Sequence, residues 1–285
     1  MTQISILGCG WLGLPLAKAL LEKGFSVKGS TTSIEKLPIL EKSGIHPHLI
    51  VLSEGKPTGN LNDFLESSEV LLIDVPPKLR GNSKKNFVEK IKNLIPFIEK
   101  STVENVIFIS STSVYGDTSS FDCAQDDTLS VTEETKTCPD TESGKQLVQA
   151  EQLLQTNPNF KTTILRFGGL IGEDRHPIKF LAGRKNIENP NAPINLIHQD
   201  DCIGIIEKII EKSLRQAQTD KLDWNETFNA VTPFHPSRKD YYTQKALELN
   251  LNLPEFNPEN DTFGKTILSE KIETVLGYTF KKTKL

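Results

Sequence analysis

Residues Ile4-Ser5-Ile6-Leu7-Gly8-Cys9-Gly10-Trp11-Leu12-Gly13 decide the fold. A short apolar run is followed by three glycines in a G-x-G-x-x-G pattern. Residues 12–23 then place Leu12, Leu16, Ala19 and Leu20 at helical spacing, and Gly24 stops the helix. A strand feeding a glycine turn that opens a helix is the context that makes this pattern specific for a dinucleotide. Gly8 permits the tight turn, Gly10 lets the backbone approach a pyrophosphate, and Gly13 lets helix and strand pack closely. The helix N-terminus presents free N–H groups and a partial positive charge to the phosphates. Gly8, Gly10, Trp11, Leu12 and Gly13 are therefore the candidate phosphate-binding positions. Trp11 either covers the phosphates or packs on neighbouring loops, and both readings stay open.

Outward from this loop, short apolar runs alternate with amphipathic stretches. Strands are expected over residues 25–29, 48–52, 70–75, 105–110 and 162–166. Helices are expected at 33–43, 61–65, 86–100 and 144–154. Strand–helix alternation implies parallel strands with crossover helices on both faces. The expected fold is α/β, an NAD(P)-binding Rossmann-like doubly wound parallel sheet. Residues 1–170 would form the dinucleotide-binding domain. Residues 171–285, where the alternation loosens, would form a smaller substrate region packed on it.

The second strand ends in Ser30-Thr31-Thr32-Ser33, with no acid until Glu35. An NAD-preferring site usually places Asp or Glu here for the ribose 2′-hydroxyl. Thr31, Thr32 and Lys36 would instead suit a 2′-phosphate, although Thr32 and Ser33 also read as caps of the next helix. NADP(H) is therefore expected over NAD(H). Val75 and Pro76, closing the fourth strand, are further candidate cofactor contacts.

Ser110-Ser111-Thr112-Ser113-Val114-Tyr115-Gly116 resembles the S-S-x-x-V-Y-G segment of extended short-chain dehydrogenases/reductases, the NAD-dependent epimerase/dehydratase family. Further similarities follow in order: Ser143-Gly144-Lys145 opening a helix, Leu165-Arg166 with Gly168, Gly169 and Gly172, and Asn195 to Asp201. The resemblance implies hydride transfer between nicotinamide C4 and a carbon bearing hydroxyl or carbonyl. It assigns Ser111 to orienting the carbonyl and Lys145 to the nicotinamide ribose and the acid's pKa. The family's catalytic Tyr falls at Thr141, so this chain is an atypical branch. An aliphatic hydroxyl is a far weaker acid than a phenol, whose ordinary pKa is about 10. Tyr115 is a candidate replacement, with aromatic packing as its other reading.

Arg175, His176, Arg184, His198 and Arg238 are the candidate substrate residues. Arg suits bidentate phosphate or carboxylate binding, and His198 lies beside Asp200 and Asp201. A small polar substrate, sugar- or nucleotide-linked, is expected. The alternative is a dinucleotide-binding sensor or scaffold without turnover, which Thr141 supports.

Several classes are disfavoured. The chain has 285 residues, 36% of them hydrophobic and 25% charged, as in ordinary globular proteins. Its 33 basic and 37 acidic residues give a net charge of −4 with no basic cluster, so no nucleic-acid partner is expected. No membrane span, signal segment or metal site is read, and a cytoplasmic location is expected. Cys9, Cys123, Cys138 and Cys202 form no CxxC pair and are read as reduced thiols. Residues 118–139 and 215–221 read as polar surface loops.

Overall fold

The computed structural model describes residues 2–79, 85–116, 130–214, 224–259 and 264–285. The expected loops at 118–139 and 215–221 lie largely outside these residues. The first half contains β1 (Gln3–Leu7), α1 (Gly13–Glu22), β2 (Ser26–Thr31), α2 (Leu37–Lys42), β3 (His46–Leu49), α3 (Leu61–Leu65) and β4 (Val70–Ile73). Next come α4 (Phe87–Glu99), β5 (Asn105–Ser111), β6 (Ser130–Val131), α5 (Glu142–Gln155) and β7 (Lys161–Phe167). The remainder adds β8 (Gly169–Ile171), α6 (Ile178–Leu181), β9 (Leu196–His198), α7 (Gln199–Leu214), β10 (Thr227–Ala230), α8 (Arg238–Glu248), β11 (Thr266–Ile267) and α9 (Glu270–Thr274).

Seven strands form one parallel sheet in the order β10-β7-β5-β4-β1-β2-β3. Chain direction across the sheet reverses between β1 and β4, where a doubly wound sheet opens a crevice at its strand C-termini. Every residue of β4 is buried, as its unbroken apolar run demands of a central strand with both faces covered. On one face α1 packs Leu16, Ala17 and Leu20 against Ile4, Ile6 and Val27. On the other, α4 and α5 place Phe87, Ile91, Leu147 and Leu154 against Leu71, Ile73 and Phe108. Each fully buried Leu, Ile or Phe contributes roughly 1.5–3 kcal/mol.

Two expected elements move. The third strand is β3 at His46–Leu49, paired from Lys28–His46 to Thr31–Leu49, two residues earlier than its apolar run at 48–52. It is an edge strand, so burial does not fix its pattern. Ser33 makes no side-chain cap, and residues 34–36 form a 3-10 turn before α2, with Pro38 in the first turn of that helix.

Residues beyond 170 are interleaved with the first half. β10 extends the main sheet by pairing with β7, and α7 buries Ile205, Ile206, Ile209 and Ile210 in the same core as α1. Buried Asp201 accepts from the Tyr278 hydroxyl at 2.7 Å and from the Lys281 and Lys282 N–H groups, holding the C-terminal segment on α7. A smaller core of Ile171, Ile178, Ile194, Leu196, Tyr241 and Tyr242 belongs to the second lobe over the strand ends.

Cys9 and Cys202 are free and buried, but Cys138 is disulfide-bonded, which corrects its reading as a reduced thiol. The lack of CxxC spacing excluded only a closely spaced pair. Among the described residues, no helix is long and apolar enough to cross a membrane. No described cluster of His, Cys, Asp or Glu is arranged to hold a metal.

Candidate functional site

The C-terminal ends of β4, β5 and β7 open into a cleft of about 560 Å³. Asp74 to Pro77 line one side, Ser110 to Ser113 and Thr141 the floor, and Gly168, Gly169, Arg175, Asn195 and Lys265 the side formed by the second lobe. The volume is that of a small-molecule site.

The glycine loop is not part of the lining but packs against Asp74, which is. Gly8 has φ +113°, and a Cβ there would collide with the Asp74 carbonyl. A Cβ on Gly13 would collide with the Gly8 carbonyl. Gly10 is exposed, and a Cβ there would meet nothing within 4 Å. Gly8 and Gly13 are thus required by the protein's own packing, while Gly10 faces open space. Ser30 fixes the loop to β2: its Oγ accepts the Gly8 N–H at 2.9 Å and its carbonyl accepts the Cys9 N–H at 2.7 Å. The backbone N–H groups of Trp11 and Leu12 meet no protein acceptor among the described residues, the N-cap residue Leu12 has no capping side chain, and the Gly13 N–H is met by the Asp74 carboxyl. The two N–H groups left over at this helix start fit a dinucleotide pyrophosphate.

Leu12 is 2% exposed and its side chain belongs to the core, so only its backbone can serve a phosphate. Trp11 packs on a neighbouring loop: its Nε1–H donates to Asp174 Oδ1 at 2.8 Å and the Arg175 guanidinium lies 5.0 Å from its ring centre. Thr31 is buried, which takes it away from a 2′-phosphate, and its Oγ1 accepts the Ser33 N–H at 3.2 Å. Its alternation in β2 turns it inward. Thr32 and Lys36 are exposed. Val75 and Pro76 line the cleft.

Ser111 lines the cleft at the end of β5, and its Oγ accepts the Ser113 N–H at 3.2 Å, leaving its own hydrogen to donate. Thr141 also lines the cleft, but its Oγ1 accepts the Gly144 N–H as the N-cap of α5. Lys145 is exposed and is absent from the cleft lining. The helix turns Gly144, Leu147, Glu151 and Leu154 inward and leaves Lys145 exposed. Tyr115 touches the cleft, yet its hydroxyl donates to Asn229 Oδ1 at 2.9 Å and accepts from Arg166 Nη1 at 2.6 Å. Burial pushes its phenol above the ordinary value, against the lowering effect of Arg166. A satisfied phenol with a raised pKa is a poor proton donor, so the structure supports its packing role.

Of the candidate substrate residues, only Arg175 lines the cleft. His176 is structural: its Nδ1 accepts the Ile178 N–H at 3.1 Å, its Nε2 pairs with the Tyr241 hydroxyl at 2.8 Å, and its ring stacks on Tyr241. Burial, aided by Lys245 and Lys179, lowers its pKa to about 4, so it is neutral. Arg184 is exposed outside the lining. His198 accepts the Asp200 N–H through Nδ1, and Arg238 starts α8; neither reaches the lining.

The sequence reading missed Asp74. Burial raises its carboxyl to about 7, against the lowering effects of the Gly13 N–H and the Arg175 charge. Its signal was an acid directly after the apolar run of β4, in a place where ionisable groups are rarely buried without a task. Also missed was the buried network beneath the cleft. Arg166 donates to both Glu151 oxygens, at 3.2 and 2.7 Å, and Ser110 donates to Glu151 at 2.5 Å.

No protein-family model matches the chain. The Escherichia coli K12 protein YeeZ is 30% identical over 283 residues, which is 99% of this chain and 96% of that protein. The chain belongs to the YeeZ family. Its fold is that of the extended short-chain dehydrogenases/reductases. A Methylobacillus flagellatus structure, provisionally assigned as an NAD-dependent epimerase/dehydratase, superposes with a TM-score of 0.74 at 24% identity, covering 99% of this chain and 94% of that one. The Bacillus cereus UDP-glucuronic acid 4-epimerase in complex with NAD gives 0.74 at 18% identity, covering 98% and 94%. Within this YeeZ-family fold, Thr141 stands at the N-cap of α5 rather than inside the helix.

Proposed function

We propose that this chain binds a nicotinamide dinucleotide and uses it to oxidise, reduce or epimerise a small polar substrate, sugar- or nucleotide-linked. One observation carries the reading: the glycine loop that opens α1 packs against Asp74, and Asp74 and Ser111 line one cleft at the topological switch of a doubly wound sheet. The fold-level likeness to epimerases that hold NAD supports it by analogy. When bound, the nicotinamide supplies hydride chemistry. The chain's own residues do the rest. The Trp11 and Leu12 N–H groups hold phosphate oxygens, the two glycines that pack tightly keep the loop in place, and Ser111 donates to a substrate oxygen.

We assign the cofactor as NADP(H). Thr32 and Lys36 are exposed just past β2, and Glu35 is the first acid after that strand. Fluorescence titration of NADPH and NADH tests this; tighter NADH binding overturns it.

A second reading, a dinucleotide-binding module without turnover, is favoured by the capping role of Thr141 and the outward Lys145. A carbonyl and nucleotide-sugar panel with NADPH separates the two. Turnover supports the enzyme. Tight binding with no turnover on any substrate supports the module.

A further inference from the structure

Asp74 directly follows β4, with its carboxyl facing the Gly13 N–H at the start of α1. That helix end carries roughly half a positive charge. A carboxylate therefore stands where the reading above places a pyrophosphate. Two anions at one helix end repel unless a cation lies between them or one is protonated.

The cation comes from the second lobe. Arg175 lies on the loop between β8 and α6 and lines the same cleft as Asp74. Its charge acts on the Asp74 carboxyl. Its guanidinium rests over the Trp11 ring and makes no hydrogen bond to another described side chain. The loop is tied in place on both sides. Asp174 accepts from Trp11 Nε1, Gln199 Nε2 donates to the Trp11 carbonyl at 2.6 Å, and a Cβ on Gly172 would stand 2.8 Å from the Trp11 ring. A forked donor set held over the glycine loop suits a phosphate oxygen pair.

We infer that Arg175 is a pyrophosphate ligand for the bound dinucleotide, and that the arriving phosphates come up against the Asp74 carboxyl, which lines the same cleft. The inference rests on the dinucleotide reading and deepens it. It moves Arg175 from the substrate to the cofactor.

A pH dependence follows. Burial has already brought Asp74 to about 7. The groups facing it are the Gly13 N–H from α1, Cys9 from the glycine loop, Cys202 from α7 and Arg175 from the second lobe. Burial pushes the Cys9 thiol up to about 12 and raises Cys202 as well, so neither carries charge near neutrality. Dinucleotide binding then takes up a proton. Affinity falls above pH 7, by at most about tenfold per pH unit.

The test is NADPH titration by nicotinamide fluorescence from pH 6 to 8.5 in wild type, Arg175→Gln, Arg175→Lys, Asp74→Asn and Gly10→Val, each checked by thermal melting. Arg175→Gln is expected to weaken NADPH about tenfold or more and Arg175→Lys less, because charge remains without the fork. Asp74→Asn is expected to flatten the pH profile. If Asp74→Asn does not fold, Arg175→Gln gives the second readout: loss of the cation shifts the fall in affinity to higher pH. Unchanged affinity in Arg175→Gln, with Gly10→Val abolishing binding, overturns the inference and leaves the dinucleotide reading intact. Wild-type affinity that does not vary with pH overturns the role of Asp74. A wild type that binds neither NADPH nor NADH overturns both.

Discussion

Thr141 Oγ1 accepts the Gly144 N–H at 3.1 Å, so the residue at the family's phenol position caps the helix that follows it. Replacing it tests structure and chemistry separately. Thr141→Ser keeps the cap and should leave melting and turnover unchanged. Thr141→Ala removes the cap and should cost about 0.5–2 kcal/mol. Thr141→Tyr should cost a similar amount while adding an acid at the cleft. If that phenol reaches the reacting oxygen, reductase rate rises by about 10²-fold or more. Thermal melts alongside steady-state rates read both effects.

The glycine loop separates folding from binding. Gly10→Val should keep the wild-type melting temperature, because a Cβ there meets nothing, yet lose dinucleotide affinity. Gly8→Ala should destabilise the fold, since it combines φ +113° with a collision against the Asp74 carbonyl. Retained NADPH affinity in folded Gly10→Val would remove the loop from the cofactor site.

The network under the cleft should prove structural. Tyr115→Phe strips a partner from Arg166 Nη1 and should cost about 1–3 kcal/mol with little effect on turnover per folded molecule. Glu151→Gln leaves Arg166 without its counter-charge and should cost about 3–5 kcal/mol. Urea unfolding and specific activity on the same preparations decide it. A large rate loss in Tyr115→Phe at unchanged stability would return Tyr115 to the chemistry.

His176 should make the second lobe acid-sensitive. Its pKa is about 4 folded and 6.5 ordinarily, so the unfolded chain binds its proton more readily. Stability from this group is complete above about pH 6.5, is lost as pH falls toward 4, and changes no further below that. His176→Asn should flatten this part of the melting profile. An unaltered slope between pH 6.5 and 4 would show that other groups set it.

The sequence by itself determined the sheet's first half and the glycine loop. Apolar run, glycine spacing and helical periodicity are local patterns, and they placed β1, α1, α3, β4, α4 and β5 within a few residues. It also marked Val75 and Pro76 at a strand end, and the family resemblance marked Ser111, because positions at strand C-termini face the crevice whatever lies opposite. The tertiary structure alone decided which polar residues share the cleft. Thr31 turned inward with the alternation of β2, and Lys145 turned outward once α5 began at Glu142. His176 found Tyr241 across 65 residues, and Arg166 found Tyr115 across 51. Asp74 and Arg175 came to line one cleft only through the tertiary packing. The physical reason is the same in each case. Backbone preference and hydrophobic period are properties of a short stretch of chain. The partner, burial and charge state of a polar side chain depend on residues brought near it by the finished packing.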